Sequence, residues 1–161
     1  MGCRIPLTVS QIDLVVELRQ RLCQTIIAKD ASEVERKSPL IYVRAGMESG
    51  STLQLGIGGM PNYVGKMIAE SDIRDLSVHT EMFVDAYVNL YKEGKITGNK
   101  NLDKGKMVFT FAMGSSEVYE FLDDNPLATS RRWIMSTILT LSAAMTKWFP
   151  STAACRWICS D

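Results

Sequence analysis

A single histidine and four cysteines, Cys3, Cys23, Cys155 and Cys159, none paired in a CxxC spacing, give this 161-residue chain no ligand set for a zinc site. The cysteines read as reduced thiols of a cytoplasmic protein. Excess charge is missing too. Eighteen basic residues balance eighteen acidic ones, which leaves no electrostatic footprint for nucleic acid or an anionic membrane surface and favours a small-molecule partner. No signal-peptide core opens the chain. The apolar stretch from Trp133 to Ala144 is about a dozen residues, short of the ~20 that a spanning helix requires. Low-complexity and disordered compositions are absent as well.

What is present is enough apolar residue, 46% of the chain, to bury the core of one globular domain. The most informative stretch is Leu53 to Phe83, LQLGIGGMPNYVGKMIAESDIRDLSVHTEMF. Gly56, Gly58 and Gly59 lack side chains, so their backbone N–H groups can come close to an anionic ligand or a developing oxyanion. Pro61 suits the first turn of a helix, where its missing N–H would be unpaired anyway. Val64, Met67 and Ile68 follow at helical spacing. The next strand, Leu76 to Thr80, delivers Glu81 at its carboxyl end, the edge of an open α/β sheet at which ligands bind.

Taken in order, the chain predicts a strand over Thr8 to Val16 and a charged stretch without clear period over Leu18 to Lys37. A buried strand is expected at Leu53 to Ile57, then a helix over 61–70, a strand over 76–80 and a helix over 82–93 stopped by Gly94. Gly94 to Gly105 reads as a polar loop, and Lys106 to Ala112 as a central strand with a near-continuous apolar run. Gly114, Ser115 and Ser116 then lead into a helix from Glu117 to Leu122. This alternation is the signature of an α/β fold with a parallel sheet and crossover helices.

Each marked residue also has a plain structural reading. GIGGMP is also an ordinary tight turn. Glu81 is also a solvated strand-end carboxylate, and His79, expected on the same face, a satisfied structural group. Asp85, one turn past Glu81, shares that ambiguity. Gly114 and Ser115 either supply a second backbone donor or cap a helix. A dinucleotide-binding α/β domain stays open as an alternative, since an acidic residue follows the glycines by about twenty positions, but Pro61 stands where G-x-G-x-x-G requires its last glycine.

LQLGIGGMPN, VHTEMFVDAYVNLYKEGKITG and KGKMVFTFAMGSSEVYEFLDDNP together resemble the acetyl-CoA hydrolase/transferase family, which includes 4-hydroxybutyrate and butyrate:acetate CoA-transferases. The likeness runs from Ser51 to Pro126 and is weak over Lys37 to Glu48. It implies residues 1–46 as the end of a first CoA-transferase domain with its linker, and 47–128 as the start of the second, catalytic domain. It implies that Glu81 is the catalytic nucleophile, that Gly56, Ile57, Gly58, Gly59 and Met60 bind coenzyme A, and that Gln54, His79 and Gly114 give support. The implied substrates are an acyl-CoA thioester and small carboxylic acids, with no permanently bound cofactor, and the implied parent enzyme is a homo-oligomer. A CoA-transferase, an acetyl-CoA hydrolase and a non-catalytic fragment kept for interaction are the functional options. Asp103 and Lys104 depart from the His-Pro pair the family commonly carries.

Past Pro126 the resemblance stops in the encoded frame. Codons for Ile134 to Cys159 can be read in a shifted frame as YVNDPYTISRNDKMVSINSCLQVDL, which resembles what the family has there. Residues 129–161 are therefore expected to be a frameshifted tail not selected to pack, attached to an incomplete and inactive fragment.

Overall fold

A computed structural model describes residues 9–17, 47–56, 58–100, 102–131 and 148–151. Ile57, the four cysteines, Trp133 and Trp157 lie outside the described residues, as does the charged stretch over 18–37. Strand β1 (Thr52–Leu55) runs parallel to β2 (Ser77–Val78), with Thr52 opposite Ser77 and Leu53 opposite Val78. Beyond β2 the chain crosses to its other neighbour. His79 bridges Val108 in parallel, and β3 (Met82–Phe83) pairs in parallel with β5 (Phe111–Ala112). Strand β4 (Met107–Phe109) in turn pairs in parallel with β6 (Ala128–Ser130). Spatial order thus follows chain order from β1 through the 76–83 and 107–112 segments to β6.

Three helices make the crossovers: α1 (Gly59–Glu70), α2 (Asp85–Lys92) and α3 (Ser116–Leu122). Helix α1 packs on α2, and α2 on α3. Stepping in one direction with right-handed connections puts successive helices side by side, which is why neighbouring helices share an interface. The helices α1 and α2 approach closely at Gly65, where an added Cβ would lie 2.7 Å from Ala86 Cβ. The sequence marks Pro61 as the missing glycine of a dinucleotide fingerprint. Here the close packing is made four residues later, and against a helix.

The core lies between these helices and the strands. Leu53, Ile68, Leu76, Val78, Phe83, Tyr87, Leu90, Val108 and Val118 are all wholly buried. Each such side chain contributes about 1.5–3 kcal/mol of burial. Phe83 is the hub of an aromatic cluster, 5.1 Å from the Tyr87 ring and 5.3 Å from that of Phe109, and Phe121 stacks on it at 6.0 Å. All of β1 and β4 is buried, as strands inside a parallel sheet must be.

One expectation needs correction. The predicted strand at Thr8 to Val16 is, over the described residues, a 3-10 turn at Val9–Gln11 followed by irregular chain with Leu14 and Val15 nearly four-fifths exposed. A strand is stable only beside a partner, and none of the described strands pairs with this one. Within the polar loop after Gly94, Lys95 and Lys100 are buried. Within 129–161, β7 (Trp148–Ser151) lies parallel along the other side of β1, Trp148 opposite Thr52 and Ser151 opposite Leu55. An open strand edge offers unpaired N–H and C=O groups to any extended segment, whatever its side chains.

Candidate active site

The site grows from the glycine turn that ends β1 and from Glu81, between β2 and β3, on the neighbouring segment. Strand β1 ends at Leu55 and β2 is prolonged through His79 to Thr80. The His79 amide donates to the Leu53 carbonyl at 3.1 Å, and the Thr80 hydroxyl lies 3.4 Å from the Leu55 carbonyl. Gly56 follows Leu55 and Glu81 follows Thr80, so the glycine turn and the glutamate leave neighbouring parallel strands at the same, carboxyl, end. Glu81 is exposed there.

Its backbone is held from the opposite side. The Glu81 carbonyl accepts from the amides of Thr110, at 2.9 Å, and Phe111, at 3.1 Å. The Thr80 amide donates to Val108 at 2.9 Å, and the Thr80 hydroxyl donates to the Met82 carbonyl at 3.0 Å. The peptides on both sides of Glu81 are therefore anchored while its carboxylate stays in solvent.

Gly58 is the N-cap of α1, with φ at +131°. A side chain would have room, its Cβ coming no nearer than 3.8 Å to Pro61 Cδ, so backbone conformation and not crowding demands glycine. No side chain caps α1. The first hydrogen bond of this end runs from the Asn62 amide to the Gly58 carbonyl at 3.3 Å, and Pro61 has no amide to offer. The amides of Gly59 and Met60 thus belong to the first turn, where helix geometry provides no internal acceptor and the macrodipole favours negative charge.

Of the supporting residues, Gln54 is buried inside β1, and His79 is buried between β1 and β4 with 3% exposure. Gly114 is buried against Asp85, whose Oδ2 would meet a Cβ at 2.6 Å. The amide of Ser115 donates to Asp85 at 3.1 Å. Ser115 stands at the N-cap position of α3 without a side-chain cap hydrogen bond, and its amide is taken by Asp85.

Tyr87 and Lys100 did not stand out as site residues in the sequence. The Leu55 amide donates to the Tyr87 hydroxyl at 2.5 Å. Burial pushes the phenol well above its ordinary value. A tyrosine among the many apolar positions of this helix was the available signal, because a buried phenol needs a partner. Lys100 donates to the carbonyls of Val78, at 2.9 Å, and Lys106. Burial lowers its ammonium to about 8, with Asp103 pulling the other way.

Among the described residues no group of His, Cys, Asp or Glu is arranged to hold a metal ion, and no helix is long and apolar enough to cross a membrane.

No family model matches the chain. It is 44% identical over 140 residues to a probable butyrate:acetyl-CoA coenzyme A-transferase of Syntrophomonas wolfei, a match that covers 82% of this chain and 31% of that protein. It is also 44% identical over 119 residues to a butyryl-CoA:acetate CoA-transferase of Anaerostipes caccae, covering 73% of this chain and 27% of the relative. The crystal structure of RipA from Yersinia pestis superposes with a TM-score of 0.79 at 31% identity, over 88% of this chain and 32% of that one. The chain spans less than a third of the length of the curated relatives it matches. With the same parallel α/β arrangement and these identities over its matched span, the chain belongs to the acetyl-CoA hydrolase/transferase family, of the butyrate and 4-hydroxybutyrate CoA-transferase kind.

Proposed function

We propose that this chain carries the nucleophile and the coenzyme A cradle of a CoA-transferase, which moves CoA between an acyl-CoA and a small carboxylate of the 4-hydroxybutyrate, butyrate or acetate class. One observation supports this most: the glycine turn and Glu81 leave adjacent parallel strands at the same end, one residue beyond the contact between Leu55 and Thr80.

The chemistry is covalent and ping-pong. A Glu81 carboxylate oxygen attacks the thioester carbonyl, the C–S bond breaks, and CoA leaves as thiolate with an acyl-glutamyl anhydride behind it. The thiolate then attacks the glutamyl carbonyl and expels the acyl group as a free carboxylate, leaving a glutamyl-CoA thioester. The incoming acid reverses both steps. Each tetrahedral intermediate carries an oxyanion, for which the amides of Gly58, Gly59 and Met60 are the donors in this reading. Removing one such donor typically costs about 3 kcal/mol of barrier.

Thioester hydrolysis is the second reading, favoured by the exposure of Glu81: water reaching the glutamyl thioester would release CoA without an acceptor acid. For the same reason the fragment alone is proposed to be inactive in productive transfer. Residues 129–161 are proposed to be frameshifted, and sequencing the DNA around codons 128–132 tests this; no frame encoding YVNDP removes the idea.

The functional experiment is intact-mass and peptide mass spectrometry after incubation with butyryl-CoA or acetyl-CoA. A CoA adduct on Glu81 is expected. An adduct on another residue, or none in a chain restored to the length of its relatives, rejects the proposal.

A further inference from the structure

Tyr87 is buried beneath the point where the glycine turn and Glu81 diverge. Its ring is fixed by Phe83, 5.1 Å away, and by its place in α2, which begins just after Glu81. Phenylalanine would fill the same volume, so the hydroxyl is what calls for an explanation. That oxygen accepts from the amide of Leu55 at 2.5 Å. Thr80 in turn reaches the Leu55 carbonyl at 3.4 Å and the Met82 carbonyl at 3.0 Å.

Leu55 and Thr80 are the last residues before Gly56 and Glu81, and both are buried. At this height the β1–β2 ladder, whose register pairs end at Leu53 and Val78, has run out. A side-chain hydroxyl takes over the pairing that backbone groups supply lower in the sheet.

We propose that Tyr87 is a positioning residue whose hydroxyl sets the distance between the glycine turn and Glu81, by fixing through its amide the residue, Leu55, that precedes the turn and whose carbonyl meets the hydroxyl of Thr80, the residue that precedes Glu81. This rests on the functional reading above and deepens it. The carboxylate must deliver its carbonyl carbon to the amides of the turn, and a misplacement of about 1 Å in such a geometry costs about 100-fold in rate.

The test compares Tyr87→Phe with a control, Val118→Ala, which thins the core at α3 without touching the glycine turn or Glu81. Two quantities are read: amide hydrogen exchange at residues 55–60, and the rate of CoA-adduct formation on Glu81 at saturating butyryl-CoA. Tyr87→Phe is expected to speed exchange at Leu55, Gly58 and Gly59 at least tenfold with β4 amides unchanged. It should also slow adduct formation tenfold or more, with half-saturation moved less than twofold. Val118→Ala should do neither selectively. Unchanged exchange and adduct rate in Tyr87→Phe overturn the proposal, as does an equal effect from Val118→Ala. Should Tyr87→Phe not fold, Thr80→Val breaks the same link from its other end and is judged by the same outcomes. Adduct rates are read in the chain restored to the length of its relatives; if that chain forms no adduct the functional reading fails, and the exchange measurement alone decides whether Tyr87 holds the turn.

Discussion

Asp85 accepts hydrogen bonds from both the amide of Ser115, at 3.1 Å, and its hydroxyl, at 2.5 Å. One carboxylate thereby sits in the first turn of α2 and at the N-terminus of α3, favoured by both helix dipoles. It ties the chain just after Glu81 to the chain just after β5. Asp85→Ala leaves the Ser115 amide without its acceptor and is expected to lower unfolding free energy by about 1–3 kcal/mol. Urea denaturation followed by circular dichroism measures this; a loss below about 0.5 kcal/mol contradicts it.

Two glycines are required by space. At Gly65 an added Cβ comes within 2.7 Å of Ala86 Cβ, and at Gly114 within 2.6 Å of Asp85 Oδ2 and 2.7 Å of Val118 Cγ2. Gly65→Ala gains helix propensity, yet overpacking should leave it net destabilised by about 1–3 kcal/mol. The double variant Gly65→Ala with Ala86→Gly moves the methyl across the α1–α2 contact and should recover part of the loss. No recovery in thermal unfolding would mean that the clash is not the cause.

Lys100 gives the stability a pH dependence of known sign. Its ammonium falls from 10.5 to about 8 in the folded chain because burial penalises the charged form. Between those values the unfolded chain binds more protons than the folded one, so stability must rise as pH increases from about 8 to 10.5. The gain is bounded at about 3 kcal/mol. The neutral amine retains N–H donors for the Val78 and Lys106 carbonyls. Urea midpoints taken across this range should climb for the unaltered chain and stay flatter for Lys100→Met. Equal slopes remove Lys100 as the source.

Glu81→Gln separates chemistry from folding. The side chain is exposed, and the neighbouring structure is held by its backbone carbonyl, which a glutamine keeps. Stability should change by less than about 0.5 kcal/mol. The CoA adduct detected by mass spectrometry should disappear. A persistent adduct would falsify the role assigned to Glu81.

Alternating apolar segments, glycine turns and helix stops were enough to specify the parallel α/β arrangement, because strand and helix periods are local properties of the chain. The segments around Leu53, Val64, Leu76, Leu90, Met107 and Val118 all fall in the elements expected, with ends shifted by a few residues. The juxtaposition of Gly56 with Glu81 followed from the same pattern, since both end neighbouring parallel strands. Local pattern failed where an outcome depends on a distant partner. Val9 to Val16 has the alternation of a strand but, among the described residues, no strand beside it, and β7 pairs with β1 through backbone groups that carry no sequence signal. Tyr87 lay in an expected helix and Lys100 in an expected polar loop. Only the tertiary structure, by burying a phenol against the end of β1 and an ammonium against the carbonyls of Val78 and Lys106, decided that their polar atoms hold the sheet edge together.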